Sequence, residues 1–88
     1  MEKNLCWVLN EVTVEQAEPA EIDTEVFKTE EEASEELNKR MEYWDRFERS
    51  SHTGVDSYIS SESDFLKFYH YIGDDGYEKI FYLEQFDF

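Results

Sequence analysis

Only one stretch of this chain repeats its apolar residues with the period of an α-helix, and that limits the fold more than any other feature. Thr29 stands where an N-cap belongs, and Glu32 three residues on completes a capping box. Ala33, Leu37, Met41 and Trp44 follow at spacings of four, four and three, within one stripe of a 3.6-residue period. Glu35–Lys39, Glu36–Arg40, Glu42–Arg46 and Asp45–Arg49 are i,i+4 pairs with the acid on the N-terminal side, the better orientation. Glutamates crowd the first turn and arginines the last, as the helix dipole favours. The pattern predicts a helix from Glu30 to about Arg49, ended by the cluster Ser50, Ser51, His52, Thr53 and Gly54. A lone helix buries one stripe, so the rest of the chain has to supply the sheet beneath it.

The flanking segments read as that sheet. Leu5 to Leu9 is apolar on both alternating faces, and Val12 and Val14 continue one phase only, which predicts a strand central at its start and half-exposed at its end. Glu15 to Glu21, with the only proline at Pro19, is expected as a loop, and Ile22 to Phe27 as a second strand able to pair back on the first. After the helix, Val55 to Ile59 suggests a short strand and Ser60 to Asp64 a polar turn. Phe65 to Ile72 and Tyr77 to Phe86 are rich in aromatic and β-branched residues and carry the strongest strand signal. Gly73-Asp74-Asp75-Gly76 between them is hairpin chemistry, because glycine and aspartate tolerate the positive φ angles of such turns. The expected fold is α+β, a single acidic domain over residues 1–88. It has two layers, one helix packed on an antiparallel sheet of three to five strands, in the order ββαβββ.

A domain of 88 residues hides only about 60–65% of the surface its unfolded chain exposes. Two tryptophans, six tyrosines and seven phenylalanines supply the dense core that this size demands. They also leave a surplus. In the last hairpin Phe65, Tyr69 and Tyr71 share one phase, and Leu66, Phe68, His70 and Ile72 share the other. Tyr77, Phe81 and Leu83 likewise oppose Ile80, Tyr82 and Phe86. One helix covers one face, so either the second face packs against a second copy or a partner, or its tyrosines lie flat with their hydroxyls in water.

Twenty-three acids against eight bases give a net charge of −15. Residues 1–32 carry ten acids and two bases, residues 33–49 five and four, and residues 50–88 eight and two. A field of this sign repels nucleic acid and anionic membranes and attracts basic partners. No apolar run is long enough for a membrane span or a signal-peptide core. Cys6 is the only cysteine, so no intramolecular disulfide forms; it reads as a small buried hydrophobe, and the cytoplasm is the expected location.

The residues that usually carry catalysis or metal binding are not arranged for either. His52 and His70 have no metal-ligand spacing to each other or to Cys6. With Gly76 as the invariant glycine of a calcium loop, positions one, three and twelve fall on Tyr71, Gly73 and Tyr82, none of which offers a carboxylate. The serines lack a nucleophile-elbow context, and three glycines make no phosphate cradle. No catalytic residue, metal ligand or cofactor is expected, and the chain does not read as an enzyme.

The acids carry two readings. Acidic surfaces keep small aromatic-rich domains soluble. Carboxylates fixed on a rigid frame also imitate nucleic-acid phosphates and fill the basic cleft of another protein. The helix acids Glu35, Glu36, Glu42 and Asp45 have bases one turn on, whereas Glu15, Glu18, Glu21, Asp56, Asp74 and Asp75 lie outside the helix, where such pairing does not operate, in expected loops and turns. These six are the candidate partner-binding residues. The expectation is a non-enzymatic acidic protein-binding module, an inhibitor or nucleic-acid mimic that engages a basic partner. The alternative is a small domain that self-associates as a homodimer through its aromatic sheet face.

The Trp7-bearing strand, the helix start Val26-Phe27-Lys28-Thr29-Glu30-Glu31-Glu32-Ala33 with Leu37, and the terminal Tyr82-Leu83-Glu84-Gln85-Phe86 together resemble short uncharacterised acidic proteins of gut bacteria and their mobile elements. The resemblance spans most of the chain and rests on generic helix-start and strand patterns, so it transfers no functional residue. In size and charge the chain is also similar to phage- or plasmid-borne inhibitors of host defence.

Overall fold

The computed structural model describes residues 5–51, 55 and 57–87, and of residues 57–59 the backbone alone. Five strands and one helix follow one another as β1 (Leu5–Val14), β2 (Glu21–Phe27), α1 (Glu30–Phe47), β3 (Ser57–Glu62), β4 (Leu66–Ile72) and β5 (Glu78–Asp87), with a 3-10 turn at Arg49–Ser51. The strands form one antiparallel sheet in the order β2-β1-β5-β4-β3. The expected ββαβββ order of a two-layer α+β domain is the observed one.

The helix forms where its sequence directs. The Thr29 backbone is extended, and its hydroxyl accepts the Glu32 N–H at 3.2 Å, with Glu30, Glu31 and Glu32 in the first turn. The helix ends at Phe47, two residues short of the expected Arg49, and the Glu48 N–H closes on the Trp44 carbonyl at 2.9 Å. Arg49 is drawn out of the helix instead, donating from Nε and Nη2 to the Val55 carbonyl at 3.1 and 2.7 Å.

Odd-numbered positions of β1, β4 and β5 face the helix. Trp7, Leu9, Phe81 and Leu83 from the sheet close on Ala33, Leu37 and Trp44, with Val55 and Tyr77 at one side and Met41, Tyr69 and Tyr71 packed partly buried against them. The Trp44 indole N–H donates to the Tyr77 hydroxyl at 2.8 Å, so the largest core side chain leaves no polar atom unpaired. Even-numbered positions face away from the helix. There Val8, Val12, Leu66, Phe68, Ile80 and Tyr82 make an apolar face that no element of the described chain covers.

Two expectations after the helix need correction. The third strand occupies Ser57–Glu62 rather than Val55–Ile59, and Val55 is a buried turn residue. The stretch expected as a polar turn, Ser60 to Asp64, thus gives its first three residues to the strand. Serine is a poor strand former, but β3 is an edge strand whose register is set by β4, with Ser57 opposite Ile72 and Glu62 opposite Lys67.

Candidate functional site

The sheet topology gathers five of the six candidate acids at one end of the molecule. In the β1–β5 ladder Val14 lies opposite Glu78, so the β1–β2 connection, residues 15–20, and the β4–β5 turn, residues 73–77, leave the sheet side by side. Gly76 has φ +82°, and a Cβ there would stand 3.5 Å from the Gln16 Cβ, a measure of how closely the two connections approach. Glu15, Glu18, Glu21, Asp74 and Asp75 are all exposed at this end. The first four form no salt bridge among the described residues. The Asp75 carboxylate accepts the Tyr77 N–H at 3.3 Å and braces its own turn. Asp56 and His52 lie outside the described residues.

Beside this acidic end a cleft of about 520 Å³ opens between β1, β2 and the end of α1. Its walls include Glu11, Glu15, Glu21, Asp23 and Glu48, with Lys79 at its base and Phe47 on its rim. Lys79 is only 2% exposed. Its ammonium is held by Glu11 at 2.6 Å, the Thr13 hydroxyl at 2.7 Å and Glu48 at 3.7 Å, so the charge most costly to bury is fully partnered. Tyr77 is buried at the same place, and loss of solvent together with the charges of Glu48, Glu15 and Glu11 raises its pKa against the opposing hydrogen bond from Trp44.

A second acidic group surrounds Arg40. Its guanidinium reaches Glu36 at 3.1 Å, Glu25 at 2.7 Å, Asp23 at 3.2 Å and Glu11 at 3.7 Å. Glu11 and Asp23 are directly opposite in the β1–β2 ladder, a like-charge pairing that costs stability unless a cation sits over it. Desolvation works to lower the Arg40 pKa, but the hydrogen bond to Glu36 and the fields of Asp23, Glu11 and Glu36 outweigh it and raise the pKa. Sequence spacing shows only the Glu36 contact; the other three cross between layers. Asp23 and Glu25, which lie outside the helix, are therefore partnered at long range. Of the four helix pairs expected from spacing, those at Arg40, Arg46 and Arg49 form, and Glu35–Lys39 does not form a salt bridge.

The sheet face away from the helix is electrically different. Of the described acids within strands, only Glu78 and Glu84 point there. Glu78 accepts from the His70 ring at 2.8 Å, and Glu84 accepts from the Tyr82 hydroxyl at 2.7 Å. Phe68 meets both His70 and Tyr82 edge-on, with centroids 6.1 and 5.9 Å apart. Acids occupy one end and the helix side; the opposite face is apolar.

Among the described residues no group of three or more His, Cys, Asp or Glu is placed to hold a metal ion, and no helix is long and apolar enough to cross a membrane. No family model, curated protein or solved structure matches the chain.

Proposed function

We propose that this is a non-enzymatic, acidic protein-binding module that engages a basic partner in the cytoplasm, as an inhibitor or nucleic-acid mimic does. The observation that carries the reading is the convergence of Glu15, Glu18, Glu21 and Asp74 at one end of the sheet, each without a salt bridge among the described residues. Carboxylates clustered next to the cleft present a negative field to lysine or arginine, and such a field speeds encounter and adds salt-dependent affinity. Phe47, 60% exposed at the cleft rim, adds an apolar contact beside the charges.

The test compares two triple charge reversals of equal size, read by titration with a polylysine peptide across a range of salt. Lysine at Glu15, Glu18 and Asp74 is expected to weaken binding and flatten its salt dependence. Lysine at Glu31, Glu35 and Glu42 on the helix is expected to do so far less. Equal effects from the two variants would mean that only net charge is sensed, and the reading would fail.

A second reading is favoured by the uncovered sheet face. For an average strand of eight residues, five strands spaced about 4.8 Å apart present roughly 600 Å² in projection, near the ~800 Å² of accessible surface per partner of a standard interface. Charge depletion on that face would let two copies meet there while their acids stay outside. Light scattering decides this. A dimer that Phe68→Lys converts to monomer, with circular dichroism unchanged, supports self-association; a parent protein that is monomeric at high concentration rejects it.

A further inference from the structure

The outer edge of β2 is unusually open for a sheet edge. Among the described residues β2 pairs on one side only, with β1. Its residues from Glu21 to Val26 are all exposed, with Ile22 at 67% and Val26 at 61%. Proteins protect such edges with charged side chains, proline, a bulge or a short strand, because the unpaired backbone groups are a template for another chain. Of these β2 carries only charge, and its charges are all acidic, which guards it against another acidic strand and leaves it open to a basic one. It is seven residues long, contains neither proline nor lysine, and keeps an unbroken register from Thr13 opposite Glu21 to Trp7 opposite Phe27.

What β2 does carry is alternation. Glu21, Asp23 and Glu25 point to the helix side, and Ile22, Thr24 and Val26 to the other. This pattern discriminates between occupants. A second copy aligned antiparallel about Thr24 would set Asp23 opposite Glu25 of its partner, acid against acid on a face that already holds Glu11 and Glu36. Among the described residues Arg40 is the base that serves Asp23 and Glu25, and it also holds Glu36 and shares Glu11 with Lys79, so it has little charge to spare for a further acid. A strand with lysine or arginine at alternate positions would set a base beside each of the three β2 acids. Its intervening apolar or threonine residues would lie beside Ile22, Thr24 and Val26 and extend the apolar sheet face.

We infer that the edge of β2 receives an extended basic segment of the partner as a sixth strand, with bases at every second position on the helix side. This rests on the proposed function, since it gives that basic partner a mode of attachment. Backbone hydrogen bonds would supply affinity and the alternating side chains specificity.

The probe is a capped heptapeptide in which lysine alternates with valine, threonine and valine, followed by amide NMR shifts of the intact protein. Its controls are a peptide of the same composition with the four lysines consecutive, and two versions N-methylated at alternate amides, one set in each phase. Strand addition predicts shifts concentrated in residues 21–27 and weaker binding of the scrambled peptide. It also predicts that one methylated phase loses affinity by at least about tenfold while the other does not, because only every second amide of an added strand faces the sheet. Equal binding of all four peptides, or shifts confined to residues 15–18 and 73–76, would overturn strand addition while leaving charge attraction at the acidic end intact. Failure of every peptide, with the alternating sequence no better than the scrambled one, also overturns it. The basic-partner reading is then judged separately by the two charge reversals.

Discussion

Replacing Trp44 tests how the two layers are joined. The side chain is 2% exposed, and its ring lies 4.6 Å from that of Tyr71 and 6.0 Å from that of Phe81, centroid to centroid. The Arg49 guanidinium stands 5.5 Å from the same ring, and the indole N–H is bonded to Tyr77. Trp44→Ala removes all of this at once and should cost about 3–5 kcal/mol from the lost burial and the cavity left behind. Loss of the hydrogen bond to the Tyr77 hydroxyl adds about 0.5–1.5 kcal/mol. A domain of this size has about 4–13 kcal/mol to lose, so the variant should be unfolded or nearly so. Gentler changes isolate the hydrogen bond. Trp44→Phe keeps most of the packing and removes the donor, while Tyr77→Phe removes the acceptor and orphans the indole N–H. Each should cost about 1–3 kcal/mol, and the double variant should cost less than the two together by about 1 kcal/mol. Urea unfolding followed by far-ultraviolet circular dichroism measures all four. Additivity within about 0.3 kcal/mol would show that the two groups are not bonded, and a loss below about 1 kcal/mol for Trp44→Ala would place the ring at the surface.

Three further outcomes follow from the charges and the cap. Thr29→Ala removes the acceptor of the Glu32 N–H and should cost about 1 kcal/mol in the same assay, with Thr29→Asp recovering most of it. Arg40→Gln leaves Glu11, Asp23, Glu25 and Glu36 facing one another; because Asp23 and Glu25 are largely exposed, the cost should be about 1–2 kcal/mol at low ionic strength and shrink by half-molar salt, where the parent is itself more stable. Loss of solvent and the bond to Glu62 push the Tyr69 phenol up to about 12, and Tyr77 and Tyr82 are also raised. The unfolded chain releases these protons near pH 10 while the folded chain holds them, so stability should fall as pH rises from about 10 to about 12. Phenolate absorbance should show these groups ionising later than in the denatured protein; a single ordinary transition would refute the assignment.

The parts of the fold that local sequence determines were open to reading, and the parts that depend on strand order were not. Thr29, Glu32 and the Ala33-Leu37-Met41-Trp44 stripe specify a helix without reference to anything distant. The aromatic strands β4 and β5 are equally explicit. Strand β3 is not, because Ser57, Ser60 and Ser61 have turn chemistry and are held extended by β4. The exposed acids Glu15, Glu18, Glu21, Asp74 and Asp75 could be singled out because they fall in loops and turns, outside the paired helix. That two separate connections deliver them to one end follows only from the antiparallel pairing of β1 with β5. The same reasoning missed Arg40 as a hub, since three of its four carboxylates come from β1 and β2, where helical spacing has no meaning.

The pairing of β1 with β5 has a kinetic consequence as well. The two strands at the centre of the sheet are the first and last in sequence, and Leu5 lies opposite Asp87. The β1–β2 and β4–β5 hairpins each have close sequence neighbours to build on, but the ladder that joins them requires nearly the whole chain to form a loop before any contact rewards it. Folding should therefore wait on this one closure, with the helix and both hairpins able to form transiently beforehand. On a ribosome the N-terminal hairpin would emerge with one side of β1 unpaired and would stay so until β5 arrives. During that interval the high negative charge repels neighbouring copies and protects an apolar strand that the finished protein keeps in its interior.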